Sequence, residues 1–403
     1  MLQQELPGPV RSSLAILLVW GQSDVPVICT PHRQPPRLPL MRTVSSTLLI
    51  GLVGLLVCGV VSHMQAEVVT AEAEVRPFRV IGYLPEYRFR KFTPEHATGL
   101  TDLILFAAEP NADGTIELGR VKQAPWEQLA PLQQQGLRVF LCLGGWGRSS
   151  HFSTVVQTAT TRQALVKNIV EQLKSLNLDG LDLDWEYPKT EAELEGYATL
   201  LEELQTAFKP ESLELSLTIA PWKSVPKRGF EAADWIQLMC YDYGQRHSTR
   251  EHAEKDVQTF LDLEVPSRKL VLGLPFYGRD IDDRSRVLSY FELQRRYQPD
   301  TADDVADNIF FNGPETIRYK TRLAMNRQLG GVMIWEIGLD ARDSTSLTQA
   351  IQQELRTLPA PKVLPSRPWT TPVRRLPKRN VIPAELENGS PEQPATKVLQ
   401  TAQ

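Results

Sequence analysis

Four acids fall within eight positions of the stretch LDGLDLDWEYP, residues 178–188: Asp179, Asp182, Asp184 and Glu186. Along a β-strand, side chains two apart share a face, so Asp182, Asp184 and Glu186 project together at intervals of about 6.6 Å. Leu181, Leu183 and Trp185 take the opposite face, which a layer of helices would cover. Carboxylates crowded where water is scarce cannot all ionise, so at least one proton is retained and shared, and the pKa of the outermost acid rises. A general acid working near neutral pH needs such a shift. Two blander accounts compete. Asp-x-Asp at a strand end can hold magnesium or calcium, but no phosphate-binding loop and no metal-spaced His or Asp accompanies it. A simply solvated face is opposed by the apolar residues on the other side.

The elements that must position these acids recur along the chain as short apolar runs, each followed by a helical pattern. The runs are 78–84, 103–109, 137–145, 178–186, 213–221, 235–242, 269–278 and 331–336. The helical pattern is clearest over Thr161–Leu176 and over Glu191–Phe208, where Leu194, Tyr197, Leu201, Leu204 and Phe208 alternate steps of three and four behind a Thr190/Glu193 capping box. A last helix carries Leu347, Ile351 and Leu355. Near-continuous apolar strands alternating with amphipathic helices predict parallel strands covered by helices. Eight such units predict a single α/β (β/α)8 TIM barrel over residues 76–357, with Glu186 at the C-terminal rim where barrel enzymes do their chemistry. A doubly wound open sheet would call for a Gly-rich phosphate loop after the first strand, and GYLPEYRFR is not one.

The ends read differently. Residues 41–66 begin with Met41 and Arg42, run uninterrupted and apolar from Leu48 to Val61 and end at Ala66, the layout of a secretory signal peptide. That run is shorter than the ~20 residues of a membrane span, so no stable span is expected after cleavage. Residues 1–40 are then an extension preceding the true start, and lipid attachment at Cys58 is opposed by the bulky Val57 before it. Residues 358–403, rich in Pro and polar groups, predict an extended tail. Without residues 1–66 and 359–403 the body carries 33 basic against 43 acidic residues, a net charge of −10. Nucleic acid is an unsuitable partner for such a body, and no cofactor is called for.

DGLDLDWEYP resembles the DxxDxDxE signature strand of glycoside hydrolase family 18, the chitinases and their relatives, at every acid. Four further segments resemble the family's other strands in the same order: CLGGWG, LMCYDY, LGLPFYGR and GGVMIWEIGLD. The resemblance covers about residues 78–357. It implies that Glu186 protonates the glycosidic oxygen while the substrate's own N-acetyl oxygen attacks C1. It implies further that Asp184 orients the acetamido group, Asp182 shares a proton with Asp184, and Tyr241 hydrogen-bonds the acetyl oxygen. Met239, Asp242 and Arg279 would line the same subsite above a Trp335 floor, with Asp179, Gly144 and Gly145 completing the motifs. Tyr83, Trp146, Trp222 and Tyr277 are candidates to stack on sugars, with rim packing as the alternative. The implied partner is an N-acetylglucosamine polysaccharide or oligosaccharide. An endo-β-N-acetylglucosaminidase acting on glycoprotein or peptidoglycan-type glycans and a silent chitin-binding lectin share the fold; such lectins typically lack the rim glutamate that this chain keeps.

Two departures stand out. Cys142 occupies the place of a serine that hydrogen-bonds the deeper aspartate, and a thiol is the weaker donor. Cys142 is expected to point inward and Cys240 outward, so no disulfide joins them. Only about fifty residues separate Tyr277 from Gly331, part of them a helix near Thr316–Gln328. The full α+β insertion common in the family has no room there, which predicts a shallow groove and internal cleavage.

Overall fold

The structure, a computed structural model, describes residues 78–357. The extension 1–40, the signal segment 41–66 and the tail 358–403 lie outside the described residues. Eight parallel strands run Arg79–Pro85 (β1), Asp102–Pro110 (β2), Arg138–Gly144 (β3), Gly180–Asp184 (β4), Glu214–Ile219 (β5), Trp235–Leu238 (β6), Leu270–Pro275 (β7) and Gly331–Trp335 (β8). Each pairs with its sequence neighbour, and β8 pairs with β1, so the sheet closes. This is the (β/α)8 barrel expected, closed without a free edge.

Helices Trp126–Gln134 (α1), Ala159–Ser175 (α2), Glu191–Phe208 (α3), Lys227–Ala232 (α4), Arg250–Asp262 (α5), Pro314–Asn326 (α6) and Leu347–Thr357 (α7) follow β2 to β8 in turn. The first crossover holds only the 3-10 turns Glu86–Lys91 and Pro94–Ala97, since Pro94 denies a backbone donor to any longer helix through it. On α2, Leu165, Ile169 and Leu173 are fully buried at steps of four against the strands, each worth about 1.5–3 kcal/mol. On α3, Thr190 Oγ1 accepts the Glu193 amide at 3.2 Å while Glu193 Oε2 accepts the Thr190 amide at 3.0 Å, the reciprocal box its sequence predicts.

Alternation sorts the strand residues into two cores. Ile81, Tyr83, Ile104, Phe140, Cys142, Trp235, Tyr241, Val271 and Met333 fill the barrel, whereas their neighbours, Cys240 included, pack outward beneath the helices. Cys142 and Cys240 are both buried free thiols, facing as expected. At the N-terminal end, Arg79 reaches Asp102 at 3.0 Å and Glu214 at 2.7 Å, Arg138 pairs with both acids, and the Arg79 guanidinium lies 3.8 Å over the Trp235 ring. These charges close the floor and leave the other end for chemistry.

Between β7 and α6 the chain forms a small antiparallel sheet of Tyr277–Asp280, Val287–Ser289, Val305–Ala306 and Ile309–Phe310, with one helix, Tyr290–Tyr297. The full insertion domain is absent from this connection, and a reduced α+β element stands in its place.

Candidate active site

Asp182 is wholly buried and saturated with donors. The Tyr83 hydroxyl donates to its Oδ2 at 2.6 Å, and the Ser216 and Thr218 hydroxyls and Gln237 Nε2 converge on Oδ1 at 2.6, 2.7 and 2.9 Å. Cys142 stands directly opposite Asp182 on β3. Burial and the neighbouring Asp182 and Asp184 push its thiol well up, so it stays protonated. Asp184, one step nearer the rim, is 3% exposed, and its Oδ1 has no hydrogen-bond partner. Burial first, then the charges of Glu186 and Asp182, hold its carboxyl well above the usual range.

The strand ends at Asp184, so Glu186 lies beyond it rather than on it, and the Glu186–Tyr187 peptide is cis. The expectation of a strand through 186 is corrected to that extent. Burial lifts the Glu186 carboxyl to about 7 and the Asp242 charge adds to the rise, while the Tyr187 hydroxyl and the Trp146 backbone amide pull the other way. The loop after β3 can come this close because Gly144 and Gly145 adopt φ of 102° and 96°. A Cβ on Gly144 would stand 2.2 Å from the Asp184 carbonyl oxygen, and one on Gly145 2.5 Å from the Phe106 ring. Gly145 N–H instead donates to that carbonyl at 2.6 Å.

Strand β6 stops at Leu238, four residues short of the run read from the sequence, because the backbone turns over Met239–Asp242, with Asp242 at φ 64°. The turn keeps Met239 half-buried against the interior cluster and delivers the buried Tyr241 toward the acids. The recorded partner of the Tyr241 hydroxyl is the Met333 thioether at 3.9 Å, a weak acceptor, which leaves a donor largely unspent. Arg279 grips Asp242 with two contacts, at 2.6 and 3.0 Å, and the Tyr277 hydroxyl adds a third at 2.7 Å. Burial alone would raise the Asp242 carboxyl, but these partners hold it below the usual range.

Trp335 lies at the end of β8, tilted against Tyr83 at 5.3 Å and meeting Phe106 edge-on at 4.9 Å. Two of the proposed stacking aromatics are displaced by the structure. Tyr83 is 1% exposed and Tyr277 5%, so neither offers a ring face to a sugar; both spend their hydroxyls on the carboxylates described above. Tyr83 faces the barrel interior below the rim, a depth that alternation alone does not disclose, whereas Tyr277 lies past the end of β7, in the small antiparallel sheet. Trp146 and Trp222, by contrast, are 47% and 50% exposed, with Trp222 against Tyr243. Asp179 sits at the opposite end of β4, where its Oδ2 accepts the Val139 amide at 2.7 Å; it ties β4 to β3 and lies away from the rim. The sequence reading missed Gln237, Ser216 and Thr218, which are inward positions on β5 and β6 and were legible as polar residues in apolar runs. It also missed the exposed Tyr87 after β1 and Ser149 in the loop after β3.

An acid poised near neutrality, a second carboxyl with an open oxygen and a phenol donor, all over an aromatic floor, can protonate a leaving oxygen and hold a polar group beside it. Comparison with known proteins shows the family to which this barrel belongs. Probable chitinase 10 of Drosophila melanogaster is 25% identical over 355 residues, 69% of this chain and 16% of that protein. Chitinase A1 of Niallia circulans is 28% identical over 345 residues, 66% of this chain and 47% of its own length. This chain thus spans less than half of either. The crystal structure of the chitinase ChiB from the chitin utilization locus of Flavobacterium johnsoniae superposes with a TM-score of 0.62 at 26% identity, covering 69% of this chain and 94% of that one. Residues 79–340 match the profile of glycosyl hydrolases family 18, and the chain belongs to that family.

Proposed function

We propose that this protein hydrolyses β-1,4-N-acetylglucosaminide bonds in chitin or chitin oligosaccharides, with retention and with the substrate's acetamido group as nucleophile. The observation that carries the reading is the pairing of Glu186, its carboxyl lifted to about 7, with Asp184, whose Oδ1 is unpartnered. Glu186 gives its proton to the glycosidic oxygen as the bond to C1 breaks. The acetyl oxygen closes on C1 to form an oxazolinium, and Glu186 then takes a proton from the water that opens it. The acetamido nitrogen becomes cationic during ring closure, and its N–H donates to the unpartnered Asp184 Oδ1 beside it. The Tyr241 hydroxyl aligns the acetyl oxygen, and Asp182, occupied by the donors of Tyr83, Ser216, Thr218 and Gln237, fixes Tyr83 and the strand beneath. Trp335 supplies the apolar floor, and Trp146 and Trp222 the outer stacking faces. Relatives named as chitinases support the substrate class.

The full chain and Glu186→Gln, incubated with N-acetylglucosamine oligomers of increasing length, test the reading by mass spectrometry. Cleavage by the parent and a loss of about 10² to 10⁴ in the variant are expected. Binding without cleavage by either would favour a lectin, and neither binding nor cleavage would point to a different glycan, with glycoprotein and peptidoglycan-type chains tried next. Secretion from Met41 with cleavage after Ala66 belongs to the same proposal and is checked by N-terminal sequencing of the exported protein.

A further inference from the structure

The Ser149 hydroxyl has three polar contacts, and together they tie its own loop to the Asp184–Glu186 backbone. The residue is 7% exposed. Its Oγ accepts the Glu186 backbone amide at 3.0 Å and lies 3.0 Å from the Gly145 carbonyl and 3.4 Å from the Asp184 carbonyl, either of which its one hydrogen can reach. The preceding residue holds the same loop from the other side: Arg148 donates to Glu86 at 2.7 Å and to Glu109 at 3.0 Å, in the segments after β1 and at the end of β2. The loop Gly145–Ser149 is therefore fastened outward by Arg148 and inward by Ser149. Glu186 needs such a fastening because it lies past the end of β4, where ladder hydrogen bonds no longer hold its backbone.

We infer that Ser149 is a positioning residue that registers the general acid Glu186 against the Gly145–Trp146 segment, so that the Trp146 amide meets the Glu186 carboxyl. The serine touches neither the sugar nor the transferred proton; it acts through Glu186. A misplacement of a catalytic group by about 1 Å can cost as much as 10²-fold in rate, and a single buried hydroxyl clamp is the means by which this fold limits it. The inference rests on the glycosidase reading above.

The test uses the full chain with Ser149→Ala, Ser149→Thr, Ser149→Cys and, as control, Ser175→Ala, whose hydroxyl bonds only within the last turn of α2. On N-acetylglucosamine oligomers Ser149→Ala is expected to lower kcat about 10- to 100-fold with KM within about threefold of the parent. Ser149→Thr, which keeps the hydroxyl, restores kcat to within a few-fold, and Ser175→Ala is unchanged. The Trp146 amide lowers the Glu186 pKa, so its loosening moves the alkaline limb of kcat to higher pH, while the Asp184, Asp242 and Tyr187 groups facing Glu186 are untouched. A kcat within twofold of the parent, or a loss fully matched by the unfolded fraction, overturns the assignment. Should the Ala variant fail to fold, the near-isosteric Ser149→Cys carries the test, with an intermediate kcat loss expected. If the parent cleaves no oligomer the substrate reading falls, and ¹³C NMR titration of the Glu186 carboxyl in parent and variants still decides the clamp. An unchanged titration overturns it.

Discussion

Glu186 sits under opposed influences that can be separated by substitution. Burial raises its carboxyl, the negative Asp242 raises it further, and the Tyr187 hydroxyl and Trp146 amide partly offset both, leaving it at about 7. A general acid must carry its proton when the bond breaks, so kcat/KM is expected to hold below pH about 7 and to fall above it. Asp242→Asn removes one of the two raising influences and leaves the Arg279 cation without its carboxylate, which favours ionised Glu186 again. The alkaline limb should therefore move to lower pH, by up to about one unit. The pH of half-maximal kcat/KM reads this shift independently of the absolute rate, which falls as well because Tyr277 and Arg279 lose their common partner. A limb that stays in place or moves upward would show that the Asp242 charge does not reach Glu186. The Cys142 departure is absorbed at the same scale: Asp182 draws oxygen and nitrogen donors from β1, β5 and β6, and the Cys142 thiol on β3 adds its own weaker hydrogen bond.

At the scale of elements, the loop after β3 is held by backbone geometry, and α3 by its cap. Gly144→Ala puts a methyl 2.2 Å from the Asp184 carbonyl oxygen at φ 102°. Both β3 and β4 ends must shift to relieve it, and a cost above about 2 kcal/mol is expected together with loss of activity. Thr190→Ala removes one half of a capping box on an exposed turn and should cost about 1 kcal/mol with activity kept. Urea midpoints with parallel rate measurements distinguish the two; a Gly144 variant as stable and active as Thr190→Ala would refute the close-packing argument. The elements legible in the sequence were those whose period the pleat imposes. The inward set Asp182 and Asp184 was readable because every alternate residue had to be apolar. The end of β6 was not, since Asp242 takes its left-handed backbone without a glycine to mark it. The reduced sheet after β7 was hidden because strands of two to four residues carry no measurable period, and the first crossover because its apolar residues form 3-10 turns. Tyr83 was placed on the right strand but at the wrong depth, and Tyr277 was read into β7 although it opens the small sheet beyond it. Whether an inward aromatic meets ligand or carboxylate depends on barrel stagger, which no single strand encodes.

At the scale of the whole molecule, one end of the barrel is closed by charge and the other is left low. The Arg79, Asp102, Arg138 and Glu214 network joins the starts of four strands, so the rim residues stand on a fixed base. Above it, the connection after β7 spends its residues on seating Asp242 through Tyr277 and Arg279 rather than on raising a wall. Four strands of two to four residues and an eight-residue helix are expected to leave the rim open to a polymer. A chain that can enter the groove from above need not be threaded from its end. Internal cleavage with early release is the expected outcome on a long soluble N-acetylglucosamine polymer: viscosity should fall well before reducing ends accumulate, and the first products should span many lengths. Dimers dominating from the first few per cent of conversion, with viscosity falling in step with reducing ends, would instead mean that the polymer is held and advanced. The exposed Trp146 and Trp222 would then be the grip, and their replacement by Ala should convert the dimer-dominated pattern into a broad one.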